Sequence, residues 1–225
     1  MKKIALLHTM KVIWESFGEK LQSELRAELP NEQFTMLNTL DEFLAMNTNI
    51  MGALHPLNLN RLFLFLKAME LEEPDLIVCT CSSMDPAIEK IRCMVSVPVV
   101  ALVDALCIHT VQNYAKVAVI ASVAGSAEPL KEKLLSLAAD MGKKVEPTLY
   151  YCPDAMTALR KGDRDASNRI IMETAATVKK EHDVLILPQA SMAHLAEEAA
   201  KVTGLTTKPA PDLCIEYVKQ FFKSK

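Results

Sequence analysis

Cys81 is the residue of this chain whose type and position most clearly allow chemistry. It lies in the segment PDLIVCTCSSM, Pro74–Met84, after an apolar run and before a predicted helix. A thiol at a helix start meets unpaired N–H groups and a partial positive charge, which predicts a lowered pKa and a nucleophilic or basic thiolate. The amides of Ser82 and Ser83 could also hold a carboxylate. A second interpretation stays open, because free cysteine is often a buried core residue.

The segment around Cys81 recurs 108 residues later with one informative difference. Pro74–Met84 aligns with His182–Met192, which reads HDVLILPQASM, so that Cys81 corresponds to Gln189. Two similar halves of a chain predict a ligand bound by matching residues from both halves. An amide does not titrate usefully, so Gln189 cannot act as a base. We expect it to orient a substrate through hydrogen bonds.

Two histidines are further candidates for an acid or a base. His8 ends the first apolar run, and His194 lies in the first turn of a late predicted helix. A structural hydrogen-bonding role for either ring stays open. We expect Cys81 and His8 to be catalytic. The expected substrate-binding residues lie at or just after predicted strand ends, and they are Thr9, Thr80, Ser82, Ser83, Ser122, Gln189, Ala190 and Ser191.

The sequence gives little support for a nucleotide cofactor or a metal. The chain has six glycines, and neither a P-loop nor a glycine-rich dinucleotide motif follows the first predicted strand. Cys79 and Cys81 form a Cys-x-Cys pair, but no second pair of ligands has the spacing of a zinc site. We therefore expect neither a cofactor nor a metal.

Composition excludes several other classes of protein. A net charge of -3 without a block of lysine and arginine argues against nucleic-acid binding. The apolar run near the N-terminus is short and is soon followed by Lys11 and Glu15, so it predicts neither a signal peptide nor a membrane span. Several of the six cysteines lie within apolar runs, which predicts reduced thiols and a cytoplasmic location.

Short apolar runs alternate with amphipathic stretches, which predicts strands alternating with helices and therefore an α/β fold with parallel sheets. Val12–Leu29 has a helical period, whereas 41–57 contains asparagines, a glycine and a proline and is predicted as a loop over a site. Ser83 is predicted as a helix N-cap. Ligands of open parallel sheets bind at the carboxyl ends of strands, where the candidate residues lie.

The internal repeat predicts two α/β lobes. Besides the segments around Cys81 and Gln189, KIALLHT at Lys3–Thr9 resembles KVAVIAS at Lys116–Ser122. We expect residues 1–105 together with 208–225 to form the first lobe, and residues 106–207 to form the second.

Over essentially its full length, the chain resembles the aspartate/glutamate/hydantoin racemase superfamily. The resemblance rests on IALLHT, DLIVCTCSSM, SVPVVALVDA, KVAVIASVAGSAEPL, ALRKGDRD and DVLILPQASMAHL. It implies two pseudo-symmetric lobes with the active site in the cleft between them. It also implies catalysis without cofactor or metal by two cysteines, one in each lobe.

The first family cysteine corresponds to Cys81 and the second to Gln189. Ser82 also departs from the family, which often has asparagine there. Relatives with one cysteine, such as arylmalonate decarboxylases, protonate a carbanion from one face, but their cysteine is in the second lobe. Maleate isomerases use a cysteine in the first lobe, the position to which Cys81 corresponds, but they normally keep a second cysteine.

We therefore expect a cofactor-independent racemase-like or isomerase-like enzyme that acts on a small carboxylic or amino acid through a Cys81 thiolate. The alternatives are a one-sided decarboxylase, a cis–trans isomerase and a protein that binds a small anion without turnover. If racemisation occurs, the second base must come from elsewhere, with His8 and His194 as the candidates. The resemblance also implies a homodimer.

Overall fold

The computed structural model describes residues 1–11 and 13–224. The chain divides into two compact units. Unit 1 contains residues 1–102 and the C-terminal residues from Ile215 onward, and unit 2 contains Val103–Cys214. Because each unit has its own parallel sheet flanked by helices, the predicted α/β class with two similar halves is confirmed.

Unit 1 is built on four parallel strands in the order β2-β1-β3-β4. Side chains on both faces of β1 are buried: Ile4 and Leu6 on one face, Ala5 and Leu7 on the other. A strand covered on both faces needs apolar residues at every position, which explains its continuous apolar run. The strands are β1 Lys2–His8, β2 Phe34–Leu40, β3 Leu76–Cys79 and β4 Val99–Ala101.

The helices of unit 1 largely follow the predicted pattern. The helix predicted over Val12–Leu29 begins with a π-helical turn, Trp14–Gly18, while Val12 lies outside the described residues. Ser83 is not an N-cap, because it lies inside a short 3₁₀ turn, Ser82–Met84, that precedes the next helix. The α-helices are α1 Glu19–Glu28, α2 Glu42–Met51, α3 Pro56–Glu70 and α4 Asp85–Ile91, and a 3₁₀ turn follows at Arg92–Met94.

The prediction of a loop over residues 41–57 is wrong, because most of this segment is helical. Asp41 caps α2 by accepting a hydrogen bond from the N–H of Phe43 at 3.0 Å. Gly52, with a φ of 85°, follows the last turn of α2, and Pro56 occupies the first turn of α3. The turn residues therefore mark the ends of two helices.

Unit 2 repeats the topology, with four parallel strands in the order β6-β5-β7-β8. The strand β8 was not predicted, because its four residues include a proline and only one residue is buried. The strands are β5 Lys116–Ala121, β6 Glu146–Tyr151, β7 Val184–Leu187 and β8 Thr206–Pro209. The helices are α5 Asp104–Asn113, α6 Ala124–Asp140, α7 Pro153–Arg160, α8 Arg164–Ala176 and α9 Ala196–Thr203, with a 3₁₀ helix at Ala190–Leu195.

The repeated aspartates have a structural role at the start of the central strands. Asp75 accepts a hydrogen bond from the backbone N–H of Lys3 at 2.9 Å, and Asp183 accepts one from Lys116 at 2.7 Å. Backbone N–H donors also hold the pKa of Asp183 below its usual value. This part of the repeat therefore fixes strand register.

The last helix, α10 (Ala210–Lys223), begins in unit 2 and ends in unit 1. Within unit 1, Lys219 pairs with Glu24 on α1 at 3.0 Å and with Glu28 at 3.5 Å. These ion pairs fasten the C-terminal helix to α1. Among the described residues, no helix is both long enough and apolar enough to cross a membrane.

Candidate active site

Cys81 lies one residue beyond the last ladder contact of β3. The N–H of Thr80 still bonds to the carbonyl of Leu7 at 3.0 Å, and Cys81 keeps an extended backbone, with a φ of -100° and a ψ of 108°. The chain then turns at once, because the N–H of Met84 donates to the carbonyl of Cys81 at 3.1 Å. This turn leaves the half-buried thiol at the carboxyl end of the sheet.

Hydrogen-bond donors from two elements surround the sulfur of Cys81. The Thr9 hydroxyl, which follows β1, the backbone N–H groups of Ser83 and Met84, and the Ser83 hydroxyl all act on the sulfur and lower the pKa of Cys81. These donors favour the thiolate, but burial has the larger effect and raises the pKa of Cys81 above its ordinary value. The expectation of a lowered pKa is therefore wrong, and at neutral pH the residue carries its proton.

His8 lies on the opposite face of β1 from Leu7, with its ring buried. Its Nδ1 is 3.0 Å from the hydroxyl oxygen of Thr80, and its Nε2 is 3.1 Å from Oδ1 of Asn38. Burial lowers the pKa of His8 despite the hydrogen bond to Asn38, so the ring is neutral at pH 7. Both ring nitrogens are thus engaged by neighbouring side chains.

At the repeat-related position in unit 2, Gln189 takes the backbone conformation of Cys81. Its φ is -101° and its ψ is 133°, and the N–H of Met192 donates to its carbonyl at 3.2 Å. Its side-chain oxygen accepts hydrogen bonds from the N–H of Ser122 at 2.7 Å and from the Ser122 hydroxyl at 3.0 Å. Ser122 follows β5 as Thr9 follows β1, so each half pairs a hydroxyl with the residue at the turn.

The other predicted site residues follow β3 in unit 1 or β7 in unit 2. Ser82 is half-buried in the 3₁₀ turn of unit 1. Ala190 is buried and Ser191 half-buried in the 3₁₀ helix of unit 2. His194 belongs to the same 3₁₀ helix, but it is exposed, and its Nε2 lies 3.0 Å from Oδ1 of Asn168 on α8. Partial desolvation of the ring is the main cause of its lowered pKa.

Two residues near these sites were missed in the sequence. Asn38 pairs with His8 from the middle of β2, and the signal for it was a polar residue inside an otherwise regular strand. Tyr151 ends β6, and its hydroxyl oxygen accepts the N–H of Ala124 at 3.0 Å. Its position at a strand end is the same signal that identified Thr9 and Ser122.

Comparison with known families gives a match over most of the chain. The family model described as Asp/Glu/Hydantoin racemase matches residues 15–211. No curated protein matches the sequence.

Solved structures of racemases share the fold at low sequence identity. The aspartate racemase of Picrophilus torridus matches with a TM-score of 0.73 and 12% identity, covering 100% of this chain and 94% of that one. A glutamate racemase from Bacillus anthracis gives 0.67 and 16%, with 99% and 82% covered. The allantoin racemase of Pseudomonas fluorescens gives 0.63 and 17%, with 98% and 91% covered.

Proposed function

Because the chain belongs to the Asp/Glu/Hydantoin racemase family, we propose that it transfers a proton at a carbon atom of a small carboxylic or amino acid without a cofactor. Cys81 is the acid–base residue in this proposal. The observation that carries it is the set of donors around one thiol: the Thr9 hydroxyl and the N–H groups of Ser83 and Met84. Such donors stabilise a thiolate when it forms.

The raised pKa of Cys81 sets its resting form as the protonated thiol. The resting thiol can donate its proton to a carbanion and leave a thiolate stabilised by the surrounding donors. In the reverse direction the thiolate removes a proton from carbon. Hydroxyl and amide groups of Ser82 and Ser83 hold carboxylate or enolate oxygens, which stabilises charge as it develops.

The neighbouring polar residues have supporting roles in this proposal. His8 is neutral and bonded on both nitrogens, so it orients Thr80 rather than exchanging protons. Ser122 donates to Gln189 and therefore holds that amide in place. At the second sheet end, Ala190 and Ser191 follow Gln189 and present backbone and hydroxyl groups to a carboxylate.

The presence of Gln189, rather than a second cysteine, favours proton transfer at only one face of the substrate. Racemisation needs a second base, and the residue at the repeat-related position is an amide that does not titrate. A one-sided isomerisation or decarboxylation therefore fits the residues better than the two-cysteine reaction that the family resemblance implies.

The decisive experiment is proton NMR of the protein in deuterated water with aspartate, glutamate, hydantoins, aryl malonates and maleate, with Cys81→Ser as the control. We expect α-proton exchange with retention, isomerisation of maleate, or loss of a carboxylate, each abolished by Cys81→Ser. Exchange with inversion would show that a second base exists. Turnover that survives in Cys81→Ser would refute the assigned role.

Gln189 also supports a second candidate function, the binding of a small anion without turnover. The amide replaces one of the two thiols that the family resemblance implies, and Cys81 holds its proton at neutral pH. Saturable binding of one of these acids, with no change at any carbon, would favour this function.

A further inference from the structure

The side-chain amide of Gln189 has a fixed orientation. The backbone N–H of Ser122 can only donate, so the Gln189 atom 2.7 Å from it is the amide oxygen. The Ser122 hydroxyl donates to the same oxygen from 3.0 Å. The amide is planar, so its nitrogen must point away from Ser122.

The amide nitrogen of Gln189 has no hydrogen-bond partner among the described residues, although the residue is only 6% exposed. Nor is it sealed in the core. Within the part of the chain that the structure describes, the enclosed side-chain polar atoms without a partner belong to Asn58, His109, Thr110 and His182. The two N–H donors of Gln189 therefore reach accessible space beyond the end of β7.

We propose that Gln189 determines substrate specificity by donating a hydrogen bond from its fixed amide nitrogen to an ionised carboxylate. The inference rests on the proposed function and names the group that this residue recognises. An otherwise buried donor left unpaired is unfavourable, and a charged acceptor forms the stronger hydrogen bond. Because the amide oxygen is held by Ser122, the amide cannot rotate to present an acceptor without losing two hydrogen bonds.

Gln189→Glu tests this role with little change in shape. One carboxylate oxygen can still accept from Ser122, but the other replaces the N–H donors with negative charge. Calorimetric titration with malonate at about pH 8 should show affinity at least tenfold weaker than for the unchanged protein. The ratio of the two affinities should move towards one as the pH falls below about 4, where the glutamate becomes protonated and can donate again. Both proteins are titrated with malonate in the same protonation state at each pH, so the titration of malonate itself cancels in this ratio.

Two further variants separate recognition from structure. Gln189→Met removes the donors without adding charge, and we expect a loss of about 10- to 150-fold that does not depend on pH. Gln112→Glu adds the same charge at an exposed position of α5 and should leave affinity unchanged. A Gln189→Glu variant that is folded and binds malonate like the unchanged protein at about pH 8 would overturn the inference, as would a loss that persists unchanged at low pH.

The inference and the proposed function can fail separately. Proton exchange by the unchanged protein, with the same KM in Gln189→Glu, would refute the inference and leave the function standing. Malonate binding that depends on residue 189, without turnover of any acid, would support the inference and refute the function. Failure of malonate and every other acid to bind would overturn both.

Discussion

The Thr9 hydroxyl should control the reactivity of Cys81, which makes Thr9→Val an informative perturbation. Among the neighbouring groups, this hydroxyl does most to lower the pKa of Cys81, and valine keeps the shape while removing the donor. A hydrogen bond to a charged group contributes about 1.5–3 kcal/mol, so the thiolate fraction at a pH below the pKa should fall about 10- to 150-fold. The remaining thiolate is more nucleophilic, because its pKa is higher, which recovers about half of the effect on a logarithmic scale.

We therefore expect alkylation of Cys81 by iodoacetamide to slow about 3- to 15-fold in Thr9→Val at about pH 8. The rate is measured by mass spectrometry of the peptide that contains Cys81. Exposed Cys93 provides an internal reference, whereas Cys152 should stay unreactive because burial raises its pKa to about 11.

Thr9→Ser is the matched control, because it retains the hydroxyl and should react within about twofold of the unchanged protein. A folded Thr9→Val protein whose Cys81 reacts as fast as in the unchanged chain would refute the reasoning. The same experiment tests the burial effect: Cys81 in the unchanged protein should titrate above the ordinary pKa of a cysteine.

Three further predictions concern stability and the second sheet end. Arg61→Met should lower the free energy of unfolding by about 2–3 kcal/mol in urea denaturation, because it leaves buried Asp41 without its ion pair. The free energy of unfolding should fall as the pH drops below 6.5. Burial lowers the pKa of His8 in the folded protein, so in this pH range the histidine binds a proton in the unfolded chain before it does so in the folded one. In proton NMR, Gln189→Cys should add inversion at the reacting carbon to any exchange, because the family resemblance implies a second thiol base at this position.

Each of these predictions has its own control. Arg61→Met combined with Asp41→Asn should recover part of the lost stability, and no recovery would argue against an unpaired charge as the cause. His8→Gln should flatten the pH dependence of the unfolding midpoint, and an unchanged slope would assign it to other groups. Gln189→Ser replaces the amide with a hydroxyl and adds no thiol, so inversion in that variant would contradict the explanation for Gln189→Cys.

Much of the fold was predictable because the signals are local. Apolar runs such as Val184–Leu187 form strands, as predicted for the short apolar runs of this chain, since strands buried on both faces must be apolar throughout. The segment 41–57 was not predictable in this way. Its asparagines and Gly52 are typical of loops, but the Asp41 cap and burial of Leu44 make most of it helical. Strand β8 was missed because backbone hydrogen bonds to β7 define it, and its residues show no apolar pattern of a buried strand.

The alternation of strands and helices, the repeat, and the correspondence of Cys81 with Gln189 can all be predicted from local sequence patterns. What these residues can do depends on neighbours that only folding brings close. Burial keeps Cys81 protonated at neutral pH, and Ser122 fixes the orientation of the Gln189 amide. Both ring nitrogens of His8 contact neighbouring side chains. The physical reason is that hydrogen bonds and desolvation act through space. Ser122 and Gln189 are 67 residues apart in sequence, yet their side-chain atoms lie 3.0 Å apart.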